Sequence, residues 1–185
     1  QPAAVLDNRA ESALATEFIA HSADFLFNHY LPKIERCLER LTDEQIWWRP
    51  NSQSNSIGNL TLHLCGNARQ WIISGLGNQR DQRTRDQEFS QTEIIPREKL
   101  LELLRGTLAE VKAVLNALNP QTLLESRTIQ GCNVDVVQAI YHVTEHFSMH
   151  TGQIILMTKI LTDRDLGFYH FSSGVPHHRW NEPLK

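Results

Sequence analysis

"EHFSMHTGQ", residues 145–153, places two histidines four apart, His146 and His150, inside a segment that otherwise carries the apolar pattern of a long helix. The segment runs from about Val134 to Leu161. Its positions Val136, Ile140, Val143, Phe147, Ile154, Thr158 and Leu161 fall within a sector of roughly 60° when each residue turns the helix by about 100°. That sector must face a core. His150 then lies roughly 60° from the centre of the sector, His146 roughly 100° and His142 roughly 140°, because residues four apart drift by about 40°. The projection places His150 and His146 at the border of the core and leans His142 toward solvent.

Working outward, three more segments carry helical periodicity, and the stretches between them are rich in Pro, Gly, Asn, Gln and charge. The first helix is expected from about Asp7 to Leu41, with Phe18, Phe25, Leu26, Tyr30, Ile34 and Leu38 on its inner side, and Pro32 bending or dividing it. The connector "TDEQIWWRPNSQSNS" leads to a second helix from about Ser56, a good N-cap, to Leu76, with Gly75 and Gly77 marking its end. The polar run "GNQRDQRTRDQEFSQTE" reads as a loop unable to pack a core. A third helix starts near Pro96, carries Leu100, Leu103, Leu104, Leu108, Val111 and Leu115, and stops at Asn119-Pro120. No segment shows a strand period. The expected fold is all-α: one domain over residues 1–185, a four-helix bundle with long connections and an irregular C-terminal tail.

The chain has 185 residues, 41% of them apolar, enough to bury a real core. A formal net charge of −3 provides no broad basic surface, which argues against nucleic acid as a partner. Three widely spaced cysteines, Cys37, Cys65 and Cys132, with no CxxC, suggest neither a disulfide framework nor a thiolate zinc site and fit a reducing cytoplasm. No apolar run of membrane-spanning length is found, so no membrane role is expected. No signal-like N-terminus is seen either, although a chain that begins at Gln1 leaves a removed leader open.

On the second helix Ile57, Leu60, Leu64, Ala68 and Trp71 form the inner stripe. His63 lies roughly 100° from its centre, and Asn67 is nearer, one turn on. A single imidazole at such a margin is more often a hydrogen-bonded boundary residue than a ligand. The pair on the last helix carries more weight, since two histidines at i and i+4 can bring two imidazole nitrogens to one metal ion. The residues between them, Phe147, Ser148 and Met149, lack the glutamate of HExxH, which excludes the metalloprotease reading.

Together "WRPNSQSNSIGNLTLHLCGN" (Trp48 to Asn67) and "HFSMHTGQI" (His146 to Ile154) resemble, in order and spacing, the two signatures of the DinB-like, YfiT-type superfamily. The resemblance covers nearly the whole chain. It implies a four-helix bundle in which His63, His146 and His150 hold one divalent metal ion at one end. Where the family has an arginine before Gly-Gln this chain has Thr151, so a role for that arginine does not carry over. The resemblance also extends to S-transferases that use bacillithiol, mycothiol or glutathione.

Three imidazoles leave open positions on the ion for water or an incoming ligand, the catalytic type of site. Zinc and nickel suit the donors first, with manganese and iron also accepting nitrogen. Three readings stay open. In the first the chain is a metal-dependent enzyme that transfers a low-molecular-weight thiol to an electrophile, with Asn67, Glu145, Gln153 and Trp48 near the ligands or lining a pocket. The second is a metal-binding stress-response bundle without turnover, and the third a scaffold whose histidines only form hydrogen bonds. Cys65, roughly 200° around the helix from His63, reads as a packing residue, Cys132 as a loop thiol, and Trp47 and Trp48 as lids on the core. Asp7, Glu11, Glu17 and Asp24 form a solvated face, and His170, His177 and His178 of the tail have no fixed ligand geometry. An apolar stripe of Leu62, Ile73 and Leu76 on the far side of the second helix suggests a homodimer.

Overall fold

The computed structural model describes residues 8–182. Four long helices pack side by side as an all-α bundle. Helix α1 spans 8–39 and is α-helical over Asn8–Asp24, π-helical over Phe25–Tyr30 and α-helical again over Leu31–Glu39. A short α2, Asp43–Trp47, lies within the connector between the first two long helices. Helix α3 spans 57–74, α-helical over Ile57–Ala68 and π-helical over Arg69–Ser74. A second short helix, α4, Arg85–Ser90, lies inside the expected polar loop. Helix α5 is Arg97–Ala117 and α6 is Val136–Thr162. Around the core α1 touches α6 and α5, and α3 touches the same two. No helix among the described residues is long and apolar enough to cross a membrane.

The helix starts follow capping chemistry. Ser56 caps α3: its Oγ accepts from Asn59 N–H, and Asn59 Oδ1 accepts from Ser56 N–H, each at 3.1 Å. Asp135 and Gln138 form the same box at the start of α6. The expected inner stripe of α6 is buried from Val136 to Thr158, with Phe147 wholly enclosed. On α5 the exception is Leu103, which is exposed because it falls on the outer flank of the Leu100, Leu104, Leu108 face.

Pro32 does not divide α1. It follows the π-helical turn Phe25–Tyr30, in which Asn28 O accepts from Trp180 Nε1 at 2.7 Å. The tail is therefore tied down rather than irregular. Buried Arg36 reinforces the tie, donating to the carbonyls of Gly167 at 3.0 Å and Arg179 at 2.7 Å and to that of Glu182. Two antiparallel hairpins overturn the expectation of no strands: β1 Ser126–Ile129 with β2 Cys132–Asp135, and β3 Tyr169–Ser172 with β4 Val175–His178. Each turns on two residues of positive φ, Gln130-Gly131 and Ser173-Gly174, the requirement of a tight primed turn.

Two smaller expectations also change. Ile73 and Leu76 are buried within the chain, so the stripe that suggested a homodimer belongs largely to the core. Trp47 is a buried lid whose Nε1 donates to Ile95 O at 3.0 Å, whereas Trp48 beside it is 40% exposed. Glu11 and Glu17 are exposed as expected, Asp24 is half-buried beside His29, and Asp7 lies outside the described residues.

Candidate metal centre

The same periodicity that buries Leu60 and Leu64 puts His63 at the edge of α3 that meets α6. From α6, His146 and His150 project toward it, one turn apart. Nitrogen atoms of the three rings, one from each, lie within 4.8 Å of one another. His63 Nε2 and His146 Nε2 are 2.9 Å apart, a separation at which two ring nitrogens need a proton or a cation between them. His150 Nε2 is buried without a protein partner.

The other ring nitrogens are held from behind. His63 Nδ1 lies 2.8 Å from Glu88 Oε2, and His150 Nδ1 lies 2.6 Å from Gln153 Oε1. Both acceptors favour the Nδ1–H tautomer and so leave the Nε2 lone pair directed into the cluster. Three convergent imidazoles, one with an orphaned buried nitrogen and two whose Nδ1 faces an acceptor, could hold a metal ion.

The family model described as a protein of unknown function (DUF1572) matches residues 13–174. The chain belongs to the DUF1572 family. A solved DinB-like protein from Bacillus cereus is similar at a TM-score of 0.58, over 73% of this chain and 87% of its own, with 15% identity. At that identity the likeness is one of fold, and it agrees with the resemblance carried by the two histidine segments. No curated protein matches the chain.

In this DUF1572 chain, burial disfavours the charged forms of the two α6 histidines. Burial, reinforced by the neighbouring His150, His63 and His142, lowers the pKa of His146 to about 3. Burial also lowers His150, against the opposing pull of its Gln153 bond. These rings are neutral donors at pH 7. Burial alone would raise the Glu88 carboxyl, but hydrogen bonds from Arg83 and His63 outweigh it and hold the group below its ordinary value. Cys65 is a packing thiol pushed up to about 12 by burial, and Cys37 reaches about 11 for the same reason. Cys132 is exposed on its hairpin.

Of the four residues expected around the ligands, Gln153 meets His150. Asn67 turns elsewhere: its Nδ2 donates to His142 Nε2 at 3.1 Å. Glu145 is exposed on α6, and Trp48 is exposed at the end of α2. His142 is half-buried rather than solvent-facing, its ring 4.1 Å from that of Trp71. The residues missed in the sequence are Glu88, Arg83 and Phe89, whose ring packs 4.6 Å from that of His63. The one signal for them is a phenylalanine beside a glutamate within an otherwise polar run. A cleft of about 580 Å³ lies behind the centre, lined by Gly66, Arg69, Arg80, Arg83, Gln87 and Glu88.

Proposed function

We propose that the chain binds one divalent cation through His63, His146 and His150 and uses it to activate a low-molecular-weight thiol for transfer to an electrophile. The observation that carries the metal reading is the convergence of three imidazole nitrogens within 4.8 Å, one of them buried without a partner. The thiol step rests on the resemblance of the two histidine segments to S-transferases of the DinB-like type, an argument by analogy.

A bound divalent ion supplies Lewis acidity, lowering the pKa of a sulfur or oxygen atom placed in its open position. The chain's own residues hold the donors ready for it. Gln153 orients His150 and Glu88 orients His63. Burial keeps His146 neutral, so its lone pair is available at pH 7. Phe89 packs its ring against that of His63. In the transfer itself a C–S bond forms to an electrophilic carbon, the leaving group departs with its electron pair, and the thiol proton passes to solvent.

The test begins with elemental analysis of protein purified without added metal or a histidine tag, expected to give about one ion per chain. Turnover is then measured with bacillithiol, mycothiol and glutathione against an aryl halide. Metal-dependent thioether formation supports the transferase; metal without turnover leaves a binding bundle, and absence of metal overturns the centre.

A further inference from the structure

We infer that Glu88 is the positioning residue for His63 as a metal ligand, and that Gly66 and Arg83 are the residues that bring its carboxylate to the ring. The inference rests on the proposed metal centre and deepens it. An ionised carboxylate only accepts hydrogen bonds, so at 2.8 Å from Nδ1 it places the proton there and leaves Nε2 as the donor to metal.

Three features of the chain converge on that one contact. A Cβ at Gly66 would lie 1.8 Å from Glu88 Oε1, so any other residue there drives the carboxylate away. Glycine inside a helix is otherwise unfavourable, and the close approach of Glu88 accounts for it. Arg83, its side chain 4% exposed, grips both carboxylate oxygens, Nε to Oε1 at 2.8 Å and Nη2 to Oε2 at 2.9 Å, in a two-pronged ion pair. It also donates through Nη1 to Gln70 Oε1 at 2.9 Å, which anchors it to α3.

The backbone of α4 is fastened as firmly as the side chain. Asn59 Nδ2 donates to Glu88 O and Gln91 O, each at 2.9 Å, and Arg49 Nη2 donates to Asn59 Oδ1 at 2.8 Å and Phe89 O at 2.9 Å. A surface ion pair that merely closed a loop would need none of this. The negative charge of Glu88 also offsets the Arg83 guanidinium, which passes 3.1 Å from His63 Nδ1 and would otherwise repel a dication.

The experiment uses the full chain, stripped with chelator and titrated with Zn²⁺, for wild type, Glu88→Ala, Glu88→Gln and Gly66→Ala. Thermal melts of the stripped proteins confirm folding, and ¹⁵N NMR of labelled histidine reads the His63 tautomer. Expected are zinc binding weakened about 10- to 100-fold in Glu88→Ala, a comparable loss in Gly66→Ala, and partial rescue in Glu88→Gln, whose amide oxygen still accepts. The wild-type His63 signal should be that of the Nδ1–H tautomer, lost in Glu88→Ala. Zinc affinity within twofold of wild type in folded Gly66→Ala and Glu88→Ala overturns the inference, as does a wild-type His63 carrying its proton on Nε2. Failure of the wild type to bind zinc overturns the metal centre instead, and the tautomer signal then still decides the part played by Glu88.

Discussion

Two successive steps along the seam between α3 and α6 are built from the same residue type and end differently. At the first, His63 meets His146 and His150, and their nitrogens converge. One turn along, the corresponding positions of α3 are Asn67 and Trp71, and His142 is absorbed by them through a hydrogen bond and a tilted ring contact. The i, i+4 series on α6 continues unbroken from His142 to His150, so spacing alone does not distinguish a ligand from a packing residue. What crosses from the facing helix decides. An imidazole opposite another imidazole leaves lone pairs that need a cation or proton between them, whereas an imidazole opposite an amide is already satisfied.

The comparison is broken most decisively by removing a ligand. His150→Ala and His146→Ala should abolish zinc retention in elemental analysis, because two protein donors are too few, and with it the stabilisation that a bound ion gives the folded state. Full metal content in His146→Ala would place the site elsewhere.

Acid should act on the first step next. Burial lowers the pKa of folded His146 to about 3 from the ordinary 6.5 of a histidine. Its folded form therefore resists protonation: the stability it contributes is present above pH 6.5 and is lost as pH falls from there toward 3. Denaturant midpoints of chelator-treated protein should fall between pH 7.5 and pH 5.5, and His146→Asn should flatten that dependence. A midpoint that rises on acidification contradicts the direction of the shift.

The second step predicts a loss of stability without loss of metal. His142→Ala removes the acceptor of Asn67 Nδ2, buried with its residue, and the ring against Trp71. The cost should be about 1–2 kcal/mol in chemical unfolding, more than an exposed position would give, with metal stoichiometry unchanged. Loss of the ion in this variant would make His142 a ligand and dissolve the distinction between the two steps. The smallest effect belongs to Glu145→Gln: this exposed residue should change stability by less than about 0.5 kcal/mol and leave zinc content at the wild-type level.

The long helices were legible because their signal is local. The stripe from Val136 to Thr158 repeats over many turns, and the three candidate ligands could be placed at core margins by counting residues. The short elements lacked that redundancy. Helix α4 has six residues, too few to be stable alone, and it holds its shape through bonds from Asn59 and Arg49, 29 to 42 positions away in sequence. The hairpins have four-residue strands, and their turns carry Gln-Gly and Ser-Gly in place of the stronger Asn-Gly signal.

By itself the sequence determined the four-helix architecture, the burial of the helix faces and the candidacy of His63, His146 and His150, because helical periodicity converts residue spacing directly into direction. Only the tertiary structure decided that Glu88 stands behind His63 and that Asn67 serves His142. Those pairings depend on how separate elements approach one another across the bundle, and a hydrogen bond between residues 25 or 75 positions apart leaves no period in the chain from which to read it.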